Sequence, residues 1–231
     1  MHPTKKAARI AGAIYLSMAV TAPFSLIYIP STLIMRGDAT ATAGKILAHE
    51  TLFRLGIVAD LTTSIIFILL VMALYRLLSG VNKTHASLMV ALVLVSVAVG
   101  FMNVLNNIAA FTLFHGADFL AAFDKPQRDA MGMLFLGLHR QGLTMDEILW
   151  GLWLFPFGVL VIRSGFLPRI LGVWLIVNCF AYLVLSLTGL LLPQYLDMAF
   201  RIAFPVLFGE IAIALWLLIR GANVRPLATA S

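Results

Sequence analysis

Six stretches of the chain run for about 20 residues or more with few or no charged side chains, the length a helix needs to cross the hydrocarbon core of a bilayer. They predict spanning helices over approximately residues 10–35, 55–75, 86–114, 144–162, 170–192 and 202–219. The first carries no charge at all, the second is interrupted only by Asp60 and the sixth only by Glu210. The apolar residues form continuous runs. They show neither the narrow stripe of an amphipathic helix nor the alternation of barrel strands. The expected class is all-α, a polytopic transmembrane helix bundle, with residues 1–231 read as a single transmembrane domain. The connections at 79–85 and 164–168 are short, as in antiparallel hairpins. Two longer connections each predict a short amphipathic helix. One lies within 37–53 and leads into the second span, with Glu50 and Arg54 as an i, i+4 pair. The other follows Pro126 and runs to residue 141, where Gly142 is expected to break it before the fourth span.

Composition agrees with a lipid solvent. The chain is 61% hydrophobic and 11% charged, with a mean hydropathy of +1.00, whereas soluble domains are about half apolar and a quarter charged. The net charge of +6 changes the picture through its distribution. Lys5, Lys6, Arg9, Arg76, Lys83, Arg163, Arg169, Arg220 and Arg225 fall on one side with no acid among them. Asp38, Glu50, Asp118, Asp124, Asp129 and Asp197 fall on the other. Cytoplasmic loops retain Lys and Arg, so both termini are expected in the cytoplasm. Nucleic-acid binding is excluded, because the bases sit singly or in pairs at span ends and form no groove; the expected partner is the lipid bilayer. The first apolar run, 26 residues long, exceeds the roughly 7–15 of a signal-peptide core, so an uncleaved helix is expected. A single cysteine, Cys179, leaves no intrachain disulfide or thiolate metal site.

Tyr28 and Tyr195 at outer span ends, and Tyr75, Trp174 and Trp216 at inner ends, suit the membrane–water interface. Pro23, Pro156 and Pro205 lie inside spans and predict kinks. Gly151 and Gly158, two turns apart, predict close approach of a neighbouring helix.

The candidate chemistry lies in polar residues within the spans. Glu210 stands nine positions after Arg201 and ten before Arg220, near the midplane, where a carboxylate must take a donor from another helix or be neutral. Asp60 and Glu147 are expected level with each other on different helices. Asn103 and Asn106, with Asn107, form a polar face of the third span, and His139 stands just above the fourth. Together Asp60, Asn103, Asn106, His139, Glu147 and Glu210 describe a candidate ligand-binding pocket opening outward. A metal site is a weaker reading. His49 and His139 are its candidate ligands, but no H-E-x-x-H arrangement occurs.

The residues Arg9-Ile-Ala-Gly, His49-Glu50-Thr-Leu-Phe-Arg54-Leu-Gly, Tyr75-Arg76-Leu-Leu, Val81-Asn82-Lys83 and Asn103-Val-Leu-Asn106 form a specific motif set. Leu149-Trp150-Gly-Leu-Trp153-Leu-Phe-Pro156 and Ser164-Gly-Phe-Leu-Pro-Arg169-Ile-Leu-Gly extend it along nearly the whole chain. In these the chain resembles the family catalogued as domain of unknown function (DUF) 4386. The resemblance implies a six-helix bacterial membrane protein, hence the cytoplasmic membrane, and carries no activity or cofactor.

Three functions stand open. The polar pocket binds or transports a small ligand, ion or proton, with Glu210 taking a proton or cationic group. Alternatively a membrane-embedded lipid hydrolase or metalloenzyme uses His139 or His49 with Glu50, Asp60 or Glu147, or the polar residues are interhelical glue. Substrate and oligomeric state are not encoded in any motif.

Overall fold

The computed structural model describes residues 3–222, so His2 and Arg225 lie outside the described residues. Among them there is helix and no strand. The helices are α1 (Pro3–Pro23), α2 (Ile29–Leu33), α3 (Ala39–Ala48), α4 (Glu50–Leu78), α5 (Lys83–His115), α6 (Lys125–Leu152), α7 (Leu154–Arg163), α8 (Arg169–Leu191) and α9 (Leu196–Ile219). Among the described residues six helical stretches are long and apolar enough to cross a membrane: Thr4–Leu33, Glu50–Leu78, Lys83–His115, Lys125–Arg163, Arg169–Leu191 and Pro193–Ile219. Much of the outside is oily. Val20, Ile27, Met102, Ile170 and Ile202 are each exposed by more than 60%, a surface that is stable against lipid tails and not against water. The chain is a multi-pass membrane protein.

The fourth stretch differs from expectation. It starts at Lys125, and α6 passes through Gly142 without a break. The reason is packing: a Cβ on Gly142 would run into the side-chain carboxamide of Asn103. The glycine is there for close approach, and its cost of about 1 kcal/mol in helix propensity does not stop a long helix. The interruption falls instead at Trp153, between α6 and α7. Pro156 has no N–H for the carbonyl of Leu152, where α6 ends, and its ring crowds that carbonyl. Pro23 is the last residue of α1. It is followed by a π turn, Phe24–Tyr28, closed by the Ile29 N–H on the Phe24 carbonyl. Pro205, by contrast, lies inside an unbroken α9.

Two compact units divide the chain. Of the described residues, 3–18, 66–96 and 147–222 form the first; Ala19–Ile65 and Val97–Asp146 form the second. In the first unit Trp153, 1% exposed, packs between Phe67 and Phe157 with ring centroids 5.2 and 5.4 Å away. Gly158 of α7 and Gly172 of α8 face each other so closely that a Cβ on either would stand 2.6 Å from the other's carbonyl oxygen. A Cβ on Gly151 would likewise meet the Cys179 carbonyl at 2.8 Å. These contacts join α8 to the preceding helices, as the small residues lead one to expect. Trp174 spends its indole N–H on the Val206 carbonyl of α9 at 2.8 Å.

In the second unit Ile29, Leu33, Ala43, Ile46, Phe53, Ala110, Phe111, Phe114 and Leu136 make the core. The short helix α3 supplies Ala43 and Ile46. Its start is fixed by Asp38, whose carboxylate accepts the Ala41 N–H at 2.8 Å. Asp38→Ala should therefore cost about 0.5–2 kcal/mol, seen as a lower thermal midpoint in detergent; no change would mean that α3 is held by packing alone. Asp124 and Gln127 cap the start of α6 reciprocally, at 2.8 and 3.0 Å.

Candidate functional site

The polar residues singled out in the spans fall into two groups, one in each unit. In the second unit, α5 carries Asn103, Asn106 and Asn107 within little more than one turn. α6 brings His139 against them, because Gly142, three residues on, lets α5 come close. The Asn103 amide donates to the His139 carbonyl at 2.8 Å, and the His139 Nδ1 stands 3.2 Å from the Asn103 carbonyl. The Asn107 amide lies 3.3 Å from His139 Nε2. The Asn106 amide donates to the Asn103 side-chain oxygen at 3.1 Å. From α4, Asp60 places Oδ2 3.9 Å from His139 Nε2, with both side chains largely buried.

The partners assign the imidazole. Only a protonated nitrogen can pair with a carbonyl oxygen, so Nδ1 carries a proton, and in that tautomer Nε2 can accept the Asn107 amide. Asp60 at 3.9 Å is beyond a direct hydrogen bond to that nitrogen. A second proton on Nε2 would face the Asp60 oxygen. The Ser25 hydroxyl hydrogen-bonds to Asp60. Ser25 is buried within the π turn, a kind of turn that recurs at functional sites. Asp60, Asn103, Asn106 and His139 are thus brought together, and Ser25 joins them unannounced by periodicity. Its one sequence signal is the pair Pro23 and Pro30, seven apart inside a span.

Glu50 and Arg54 pair as expected, at 2.7 Å, and a third partner appears: His115 Nε2 is 3.3 Å from the other Glu50 oxygen. Arg54 also lies over the Phe111 ring, 4.5 Å from its centroid. His49 is exposed at the one-residue junction of α3 and α4. Among the described residues no group of three His, Cys, Asp or Glu is placed to hold a metal ion; His139 has one carboxylate beside it.

Glu147 and Glu210 belong to the first unit. Glu210 of α9 accepts two phenols, Tyr15 of α1 on Oε2 at 2.5 Å and Tyr182 of α8 on Oε1 at 2.9 Å. The first length is that of a hydroxyl donating to a carboxylate. The expected donor from another helix is therefore two donors from two helices. A tyrosine in a span interior needs a partner for its hydroxyl, and that was the available signal for Tyr15 and Tyr182.

Comparison with known proteins adds the following. The model of a family described as "Domain of unknown function (DUF4386)" matches residues 10–221. An uncharacterized protein of Archaeoglobus fulgidus is similar, 28% identical over 173 residues that cover 75% of this chain and 83% of that protein. No solved structure matches.

Proposed function

The chain belongs to the DUF4386 family, and since that description names no activity we propose one from the site: a multi-pass membrane protein that binds a small ligand, ion or proton at the Asp60–His139 cluster of its second unit. The observation that carries this reading is the gap of 3.9 Å between Asp60 and His139, each already held by other partners. In lipid such groups are costly, and they are retained where a ligand or proton uses them. Asn103 and Asn107 fix the ring, and an incoming proton or polar group at Nε2 would exchange the Asn107 amide for the Asp60 oxygen as partner. The Ser25 hydroxyl of the π turn, which also lies 3.3 Å from the Ala22 carbonyl, hydrogen-bonds to Asp60.

The pocket is taken to open outward and both termini to lie in the cytoplasm of a bacterial inner membrane. The support is the bias of Lys and Arg toward one side, which includes Lys5, Lys6, Arg76 and Arg163.

Native mass spectrometry and elemental analysis of detergent-purified protein test the site for a bound molecule or ion, and nitrogen NMR of the His139 ring tests it for a proton. Asp60→Asn should weaken occupancy at least about tenfold, or ~1.4 kcal/mol, or alter the titration of His139 when the occupant is a proton. An empty wild type whose His139 titrates identically in Asp60→Asn overturns the reading.

A further inference from the structure

The first unit holds a group of side chains that the Asp60–His139 reading leaves unused. Both Glu210 oxygens accept phenols, and neither Glu210 nor Glu147 takes part in a salt bridge among the described residues. Hydrogen-bond donors satisfy the lone pairs of a carboxylate but do not neutralise it, and in hydrocarbon an unneutralised charge is costly. The second acid lies on a helix packed against α8. A Cβ on Gly151 would stand 3.0 Å from the Tyr182 Cβ, which places that face of α6 against α8. Glu147 is one turn away on the same face. The Tyr182 ring is met edge-on by Trp150, centroids 6.3 Å apart at 86°. Glu147, Trp150, Tyr182 and Glu210 are each half-buried.

A separate observation concerns Asn178, one turn before Tyr182 on α8 and 0% exposed. Its amide nitrogen is drawn to the Leu207 carbonyl of α9 at 3.4 Å, three residues before Glu210. The carboxamide is thereby held in the seam between α8 and α9, and its Oδ1 is buried with no donor. A buried acceptor without a donor costs about 1–3 kcal/mol, which an incoming N–H would recover.

We propose that Glu210, Glu147, Tyr182, Trp150 and Asn178 form a binding site for a protonated primary or secondary amine carried on an apolar body. Two carboxylates supply the charge, the Trp150 and Tyr182 rings supply the π faces that attract an ammonium, and Asn178 Oδ1 supplies the acceptor for one N–H. The apolar body suits entry between helices whose outward residues, such as Val177 and Phe208, are exposed and apolar. A quaternary ammonium has charge but no N–H, so the site distinguishes the two.

Phenethylammonium binding to the full-length protein in detergent, followed by tryptophan fluorescence and calorimetry, tests this. Wild type should bind it saturably, at least about tenfold more tightly than the quaternary phenethyltrimethylammonium. Glu210→Gln and Glu147→Gln should each weaken binding about tenfold or more, and Asp60→Asn should leave it unchanged, which separates this site from the one proposed above. Both Gln variants are checked for folding by size-exclusion chromatography and melting, and Glu147→Gln carries the test if Glu210→Gln does not fold. No saturable binding to wild type, unchanged binding in a folded Gln variant, or equal affinity for the quaternary ion overturns the proposal.

Discussion

Trp153→Ala is expected to destabilise the protein by about 3–5 kcal/mol, the range for emptying the place of a large aromatic in a packed core. Trp153 is 1% exposed, and its ring touches three others: Phe67, Phe157 and, at 6.1 Å, Tyr15. It also occupies the turn where Pro156 interrupts the fourth span, so the backbone there has no unbroken ladder to fall back on. Chemical or thermal denaturation in detergent reads the loss. Trp153→Phe, which keeps one ring in place, should lose less than half as much. A Trp153→Ala protein as stable as wild type would mean that the aromatic group is ornamental and that the helix break is held by other contacts.

Gly158→Leu should cost at least about 1–3 kcal/mol, the usual penalty for overpacking, and it is placed toward the upper end by what the new side chain meets. The obstacle is the backbone carbonyl of Gly172, 2.6 Å from the added Cβ, and backbone cannot turn aside as a flexible side chain does. Gly137 of α6 provides the contrast, since a Cβ there meets nothing within 4 Å. Gly137→Ala should be neutral or stabilising by about 0.4–1 kcal/mol, because alanine narrows the unfolded ensemble and strain is absent. Equal effects of the two changes would show that helix propensity, and not the closeness of α7 and α8, governs these glycines.

The spans were legible in the sequence because lipid exposure removes the need for amphipathic patterning, so a plain count of uncharged residues finds them. The start of α6 at Pro126 was legible too, but its continuity through Gly142 into the span was not. Residues 125–141 are polar enough to resemble a surface segment, and Gly142 resembles a stop until Asn103 is seen lying against it. The Glu50–Arg54 pair was legible because both residues stand on one helix; His115, which completes it, comes from another. Distance along the chain sets the same limit on the sites. Asp60, Asn103, Asn106 and His139 were visible as costly polar residues in apolar runs, but which of them meet depends on helix packing. Tyr15 and Glu210 are separated by 195 positions, and nothing in hydropathy joins them. Glu147 and Glu210 were grouped with Asp60 by depth alone, a coordinate that says nothing of which helices are neighbours, and they fall in the other unit.

The π turn at Phe24–Tyr28 is equivalent to one residue inserted into an otherwise α-helical span, absorbed locally as a wider loop of backbone. Upstream, Tyr15 keeps its face; downstream, Ile29 and Leu33 keep theirs. Removing one residue from the turn would return the segment to ordinary α-helix with both flanking registers intact, whereas the same deletion elsewhere in the span would rotate everything beyond it by about 100°. What the extra residue contributes is therefore local: it decides where the Ser25 hydroxyl points. A length variant in this segment would leave the bundle assembled and change the company that Asp60 keeps.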